Sequence, residues 1–200
     1  MTKKLLAIIM FWLLCISPGF SDDDDEYEEH HEKRWYNIFR DHDDDDADKR
    51  KKGYSKSKKY SRYIPEVKDP LYLKECGACH FAFQPQLLPS ASWNQMLSQL
   101  EDHFGDNASL TSQQTEQLRH YLLSNSAETS SAKRPRKILA SIRGQIPLRI
   151  TEVPYIQHKH DELPRGVTKR KSIKSLSNCQ ACHLTADRGI YSERYIHIPR

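Results

Sequence analysis

The chain has few of the residues from which a protein core is usually built. Only 37% of its 200 residues are hydrophobic, 29% are charged, and it contains just 5 cysteines and 3 methionines. This apolar content is low for a chain that must fill a core with its own side chains. We therefore expect a group other than side chains to supply part of the core.

Long apolar runs are also scarce, and the one that exists lies at the N-terminus. Residues 1–21 combine a basic start (MTKK), the apolar stretch LLAIIMFWLLCI, and a small-residue ending at Gly19 and Ser21. The apolar stretch has 12 residues, whereas a membrane-spanning helix needs about 20. The pattern is typical of a secretory signal peptide rather than an uncleaved anchor. We predict export with cleavage near Ser21, which would remove Cys15.

The remaining cysteines all belong to two copies of one pattern, CGACH at residues 76–80 and CQACH at residues 179–183. In an exported protein, Cys-x-x-Cys-His is typical of covalent haem attachment, because the two thiols add to the haem vinyl groups and the histidine binds the iron. The sequence therefore predicts two c-type haems. Their attachment residues would be Cys76, Cys79 and His80 for one, and Cys179, Cys182 and His183 for the other.

Two other uses of this pattern fit less well. A zinc site built from two Cys-x-x-Cys pairs normally has a much shorter spacing than the one between these motifs. Redox-active disulfides or thioredoxin-like motifs would not need a histidine after each pair, and no βαβ pattern surrounds either copy. With all four cysteines in the motifs, none is left for a separate structural disulfide.

The ligand opposite each motif histidine separates an electron carrier from a haem with an open position. Met96 is the only methionine left after loss of residues 1–21. It lies in SWNQMLSQLEDHFG, where Trp93, Leu97 and Leu100 share its helical face, so we expect Met96 to be a core residue. His103 follows this stripe at the end of the predicted helix and should point toward whatever the stripe covers. We predict that His103 is a distal haem ligand.

The other histidines are weaker or undecided candidates. His158 and His160 lie in the proline-bounded stretch PYIQHKHDELP, where either ring could reach inward, and the residues alone do not choose between them. His120 lies off the apolar stripe of its helix and should be exposed, and His197 lies in the C-terminal tail. Three more are expected to be solvated in a charge-dense stretch, namely His30, His31 and His42.

Residues 22–68 differ in composition from the rest of the chain. They open with two acidic runs and then switch to KRKKGYSKSKKYSR. Segments of this kind lack the apolar side chains needed for a core, so we expect a disordered tail. No loop with the ligand spacing of a calcium site is visible in the acidic runs.

A compact part should begin near Asp69 and be mainly α-helical with much irregular structure. DPLYLKECGACH predicts a short helix, the Trp93 stripe a second, and a capping box at Thr111 and Gln114 starts a third that ends near Asn125. We expect SAETSSAKRPRK to be a linker. Residues 69–130 would form a helical first haem-binding part resembling a small c-type cytochrome, and residues 131–200 an irregular second haem-binding part.

Charge is distributed unevenly along the chain. Residues 22–48 contain 14 acidic and 3 basic residues, whereas residues 49–200 contain 13 acidic and 26 basic residues. Transient electron-transfer encounters are commonly steered by charge. An acidic redox partner is therefore one hypothesis, with the acidic segment competing for the same basic face. Export argues against nucleic acid as the partner.

Three separated stretches carry a resemblance to a known family. They are YLKECGACHFAFQPQLLPSASWNQMLSQLEDHFGDNASL, RITEVPYIQHKHDELP and SNCQACHLTADRGIYSERYIHIP. In this order they resemble the bacterial dihaem cytochromes c, small periplasmic electron carriers, over about residues 70–200. The resemblance implies bis-histidine ligation at both haems, with His103 and His160 as the distal ligands. It thus implies His160 and not His158. It also implies a monohaem oxygen-binding cytochrome and a membrane b-type cytochrome as partners.

The resemblance and the ligand set together predict a periplasmic carrier of single electrons and not an enzyme. Two histidines on each iron would leave no position free for a substrate. The competing hypothesis is a dihaem peroxidase or a gas-binding haem sensor, in which one iron position is open. The chain is short for a dihaem peroxidase, and no distal arginine and histidine pair stands out.

Overall fold

The computed structural model describes residues 63–200, which form five α-helices and eight short 3-10 turns joined by irregular loops, with no β-strand in that range. The helices are α1 (Pro70–Glu75), α2 (Ser90–Leu97), α3 (Ser112–Ser124), α4 (Lys133–Ile142) and α5 (Pro154–His158). The predicted fold class, mainly helical with much irregular structure, is confirmed. The predictions for residues 1–62, including the signal peptide, Cys15, His30, His31, His42 and the acidic runs, lie outside the described residues.

Helices α1 and α3 begin where their capping residues predict. The Asp69 carboxylate accepts a hydrogen bond from the Tyr72 backbone N–H at 2.8 Å, and Pro70 occupies the first turn of α1, where no N–H partner is needed. At the start of α3, the Thr111 hydroxyl accepts from the Gln114 N–H at 3.2 Å, and the Gln114 side chain accepts from the Thr111 N–H at 3.1 Å. The predicted capping box is therefore present.

Helix α2 is shorter than the sequence pattern predicts. It ends at Leu97, and after Gln99 the chain turns into the 3-10 segment Leu100–Asp102. The Asp102 carboxylate accepts from the Gly105 N–H at 2.9 Å, and this local bond competes with continuation of the helix. His103 consequently sits on a turn and not at the end of a helix as expected.

The expected linker at residues 126–137 is wrong. Ala127 and Ala132 are buried, and α4 begins inside this stretch at Lys133. Pro135 is tolerated because it lies in the first turn of the helix, whose N–H groups have no intrahelical partner. Ile138 and Ile142, one turn apart, bury the inner face of α4.

One hydrophobic cluster joins the elements on both sides of residue 130. Tyr72 of α1 and Leu118 and Leu122 of α3 share it with Ile138 of α4 and Tyr155 of α5. The packing also extends further toward the N-terminus than the expected start at Asp69. Within residues 63–68, Ile64 and Val67 are buried in the same cluster.

The start of the described chain is anchored against its C-terminal part. The Ile64 N–H donates to the Gly189 carbonyl oxygen at 3.4 Å. Gly189 has φ +70°, and a Cβ atom there would meet the Ile64 carbonyl group. Glycine is therefore required at position 189 both by the backbone conformation and by the close approach of the two chain segments.

Within residues 63–200, none of the helices combines the length and the apolar character needed to cross a bilayer. The described part contains 18 basic and 13 acidic residues, so much of the positive charge counted for residues 49–200 belongs to residues 49–62.

Candidate haem-binding sites

The first candidate site joins the motif after α1 to the turn after α2. The rings of His80 and His103 lie 6.1 Å apart between centroids, with planes 20° from parallel. His80 Nδ1–H donates to the Phe81 carbonyl oxygen at 2.8 Å, which leaves Nε2 as the nitrogen available to a metal. The His103 backbone is fixed by reciprocal hydrogen bonds with Asp106, at 2.7 and 3.3 Å. We call Cys76, Cys79, His80 and His103 the first haem site.

Aromatic side chains and one arginine surround the first haem site. The Phe83 ring lies 5.5 Å from the His80 ring, and the Phe104 ring lies 4.7 Å from the His103 ring. The Arg149 guanidinium lies 3.8 Å above the Phe104 ring and forms an ion pair with Glu152, with Nε and Oε1 3.6 Å apart.

The second candidate site joins the end of α5 to the second motif. The His160 and His183 ring centroids lie 6.0 Å apart, and their planes cross at 72°. His160 Nδ1–H donates to the Ile156 carbonyl oxygen at 2.7 Å, so Nε2 is again the nitrogen left for a metal. His183 Nδ1 is buried without a hydrogen-bond partner among the described residues. We call Cys179, Cys182, His183 and His160 the second haem site.

His158 and His160, between which the residues alone did not choose, have different surroundings. His158 is exposed, and its Nδ1 lies 3.1 Å from the Asp161 carboxylate. His160 is half-buried and faces His183. The two other uncertain histidines, His120 and His197, are exposed.

Two residues distant in sequence, Gln84 and Arg134, converge on Tyr191 beside the second haem site. The Tyr191 ring packs edge-on against His183 at 5.4 Å, and its hydroxyl donates to Gln84 Oε1 at 2.5 Å. Gln84 is fully buried and donates from Nε2 to the Ala186 carbonyl oxygen at 2.6 Å. Arg134 on α4 donates from Nη2 to the Tyr191 carbonyl oxygen at 3.2 Å, and its guanidinium lies 5.2 Å from the Tyr191 ring.

Both pairs of rings have the separation expected for two imidazoles on one iron. A metal–imidazole nitrogen bond of roughly 2 Å places the centroids of two opposed axial rings about 6 Å apart. Exposed apolar side chains lie beside both sites: Phe104 contacts His103, Leu184 follows His183 in sequence, and Ile196 pairs with His183. A haem would cover apolar surface of this kind. The residues present therefore fit two haem groups, one at each site.

The electrostatics favour neutral imidazoles, the form that binds a metal. Burial lowers the pKa of His183 to about 4, and the charges of His160 and Arg134 add to this effect. Burial also lowers the pKa of His103, with His80 and Arg149 acting in the same direction.

The cysteines of the two motifs carry free thiols and do not form one cluster. Burial raises the pKa of Cys76 to about 11, aided by the carboxylates of Glu75 and Asp69, and burial likewise raises that of Cys179 to about 11. Throughout residues 63–200, no three His, Cys, Asp or Glu side chains converge as a zinc ion would require. A c-type haem iron needs only two protein ligands, which is what each site offers.

The residue after the first cysteine differs between the motifs for a steric reason. Gly77 follows directly on α1, and a Cβ atom at this position would collide with the Leu73 carbonyl oxygen. Gln180 lies in the 3-10 turn Cys179–Ala181 and is exposed, so a long side chain is accommodated there.

Sequence reasoning did not identify Gln84, Tyr191, Arg134 or Arg149. No spacing marks them, because Gln84, Arg134 and Arg149 reach their sites from distant parts of the chain and Tyr191, although close to His183 in sequence, belongs to no motif. The available signal was the pair Gln84 and Gln86, the two polar residues within the otherwise apolar stretch FAFQPQLLP.

The chain is similar to a known protein family and to solved structures. A family model described as dihaem cytochrome c matches residues 72–191. A solved dihaem cytochrome c from Rhodobacter sphaeroides is 39% identical, with a TM-score of 0.55, over 64% of this chain and 99% of that chain. One from Shewanella baltica is 36% identical, with a TM-score of 0.54, over 65% of this chain and 92% of that chain. A search of curated protein sequences found no match. By the extent of the family match, the chain belongs to the dihaem cytochrome c family.

Proposed function

We propose that this protein carries single electrons in the periplasm through two covalently attached, bis-histidine c-type haems. Membership of the dihaem cytochrome c family makes it a haem-based electron carrier. The observation that carries the finer proposal is the pairing of histidines, His80 with His103 at 6.1 Å and His160 with His183 at 6.0 Å. Each pair would ligate one iron from both sides.

The residues of each site would hold and orient one group. Cys76 and Cys79, and likewise Cys179 and Cys182, would form the thioether bonds. When bound, each haem supplies a one-electron Fe(III)/Fe(II) couple. With both axial positions taken by histidine, no iron position is left for a substrate, which favours electron transfer over catalysis.

The hydrogen bonds at the histidines would fix their orientation. The carbonyl groups of Phe81 and Ile156 accept hydrogen bonds from Nδ1 of His80 and His160, so that Nε2 of each ring would be left to bind the metal. At the first site, Phe83 packs against His80 and Phe104 against His103, and at the second site Tyr191 packs against His183. Ligands held in place by such contacts change little in position when the charge changes, which suits rapid electron transfer.

The visible spectrum and the haem content test the proposal. We expect two haems per chain in the denatured haemochrome, a low-spin reduced spectrum, and no change with carbon monoxide. A carbon monoxide response in half of the haem would indicate one open iron and favour the peroxidase or sensor hypothesis. Absence of haem would refute the proposal.

A matched pair of variants tests the second distal ligand. His160→Ala should convert one haem to a high-spin form that binds carbon monoxide and should leave both haems attached. His158→Ala, two residues away on an exposed side chain, should leave the spectrum unchanged. The reverse result would assign ligation to His158.

We further propose that export depends on residues 1–21, that the partners are a monohaem oxygen-binding cytochrome and a membrane b-type cytochrome, and that encounters are steered by charge. The support is the signal-peptide pattern, the family membership and the basic character of residues 49–200, with 26 basic and 13 acidic residues.

If charge steers the encounters, the association rates with redox partners should fall as the ionic strength rises. Deletion of residues 22–48 should raise the association rate for an acidic partner. Unchanged rates and unchanged salt dependence would refute the competition by the acidic segment.

A further inference from the structure

The two haem sites differ in the charges that surround them. At the first site, the Asp69 carboxylate caps the helix that leads to Cys76, and the Glu75 carboxylate, next to Cys76 in sequence, forms an ion pair with Lys74 at 2.9 Å. The charge of Arg149, the arginine described there, is opposed by Glu152 in an exposed ion pair, with side chains 45% and 50% exposed. Solvent and the counter-charge both weaken the field of Arg149.

Two arginines, Arg134 and Arg170, lie near the second site, and Asp187 is an acidic residue near Tyr191. Arg134 is half-buried and held against Tyr191, whose ring contacts His183 at 5.4 Å. The Arg134 guanidinium contacts the Tyr191 ring and the Tyr191 carbonyl oxygen, and neither of these groups carries a negative charge that would cancel the charge of Arg134. Arg170 lies near Cys182 and is fixed by a hydrogen bond from Nη1 to the Pro199 carbonyl oxygen at 2.8 Å.

We propose that Arg134 gives the second haem site the higher reduction potential, so that an electron arriving at the first site moves on to the second. This inference rests on the proposed function. A fixed positive charge disfavours the oxidised state, which carries one more positive charge than the reduced state. The greater burial of His183, compared with the exposed His80, acts in the same direction.

The internal transfer is balanced without any further reactant. One electron, supplied by an external one-electron donor, leaves the first site and reduces the second, and no bond is made or broken. Arg134 is a positioning residue in this process, because it acts through its charge and through Tyr191 without contacting His183 in the contacts described above.

Potentiometric titration of Arg134→Gln in the haem-loaded protein tests the inference. We expect the reduction equilibrium constant of the higher-potential couple to fall about tenfold, which corresponds to about 59 mV for one electron. The lower couple should stay nearly unchanged. The two couples are assigned from their electron paramagnetic resonance (EPR) signals, because the histidine planes cross at 20° in the first site and 72° in the second.

Two further variants separate charge from packing. Arg134→Lys keeps the positive charge and should retain a potential near that of the native protein. Arg136→Gln removes a charge from an exposed position on the same helix. It should shift the reduction potentials of both couples by only a small fraction of the shift seen in Arg134→Gln. An unchanged higher couple in Arg134→Gln, or an equal effect of Arg136→Gln, would overturn the inference.

A variant at the other site keeps the inference testable if Arg134 variants do not fold. Glu152→Gln removes the counter-charge of Arg149, so it should raise the lower couple and narrow the gap between the two. A lower couple that does not move would count against the charge argument. Failure of the proposed function is a separate result, seen in the native protein as fewer than two haems or as carbon monoxide binding.

Discussion

The crossing angle of the two histidine planes differs between the sites, 20° at the first and 72° at the second. Nearly parallel axial imidazoles separate the energies of the two iron d orbitals that point out of the haem plane, whereas nearly perpendicular imidazoles leave them almost equal. EPR of the oxidised iron reports this difference. We therefore expect two low-spin signals of equal intensity, one rhombic and one strongly anisotropic with a larger low-field g value.

His103→Ala provides the perturbation that assigns these signals. It removes one ring of the nearly parallel pair, so the rhombic signal should disappear and a high-spin signal should replace it. Half of the low-spin intensity should be lost, and the anisotropic signal should stay in place because His160 and His183 are untouched. The assay is low-temperature EPR with spin integration on the fully oxidised protein.

The control is His120→Ala, at an exposed histidine on α3, which should change neither signal. Loss of the anisotropic signal in His103→Ala would refute the pairing of His103 with His80. Two signals of the same type in the native protein would refute the argument from the crossing angles.

Two predictions concern stability. In chemical unfolding, Gly189→Ala should destabilise the protein more than Gly144→Ala, because both glycines have positive φ but only a Cβ atom at position 189 would meet the Ile64 carbonyl group. We expect a loss in unfolding free energy of about 1 kcal/mol for Gly144→Ala and at least about 1 kcal/mol more for Gly189→Ala. Equal losses would contradict the contact between Gly189 and Ile64. Burial acts to raise the pKa of Glu128, but hydrogen bonds, including those from the Ser90 N–H and hydroxyl, hold it below its ordinary value of 4.5. The stabilisation from the charged carboxylate is therefore complete above pH 4.5 and is lost as the pH falls through the lower folded-state pKa. Glu128→Gln should consequently destabilise the protein at pH 7, and the difference in stability between the variant and the native protein should vanish in acid. A difference that persists in acid would show that the carboxylate charge is not involved.

The attachment motifs and the helix starts were predictable because each depends on residues close together in sequence. Asp69 before Pro70, and Thr111 before Gln114, act within one helical turn, and their bonds are present. His103 was predicted as a ligand from the apolar stripe before it. The apolar stripe does not predict that His103 lies on a turn, because the turn depends on the hydrogen bond from the Gly105 N–H to the Asp102 carboxylate.

The predicted linker failed for a related reason. KRPRK at residues 133–137 is basic and contains a proline, which together suggest an exposed loop. Proline in the first helical turn costs little, and the apolar residues that bury the helix, Ile138 and Ile142, come after the basic cluster. The residues alone left the choice between His158 and His160 open, because no local pattern supplies the position of His183, and the resemblance implied His160.

The supports of the second haem site were beyond sequence reasoning because their partners are distant. Tyr191 and Gln84 are 107 residues apart. A hydrogen bond between them can be read only from the folded chain, where Gln84 is completely buried.

This long connection has a consequence for the order of assembly. His80 and His103 are 23 positions apart, and so are His160 and His183. Closing the 107-residue loop between Gln84 and Tyr191 costs roughly 1.4 kcal/mol more in chain entropy than closing either of these short loops. Chain entropy therefore favours the meeting of each pair of histidines within its own stretch of chain before the contact between Gln84 and Tyr191 forms. Neither short loop depends on the other motif.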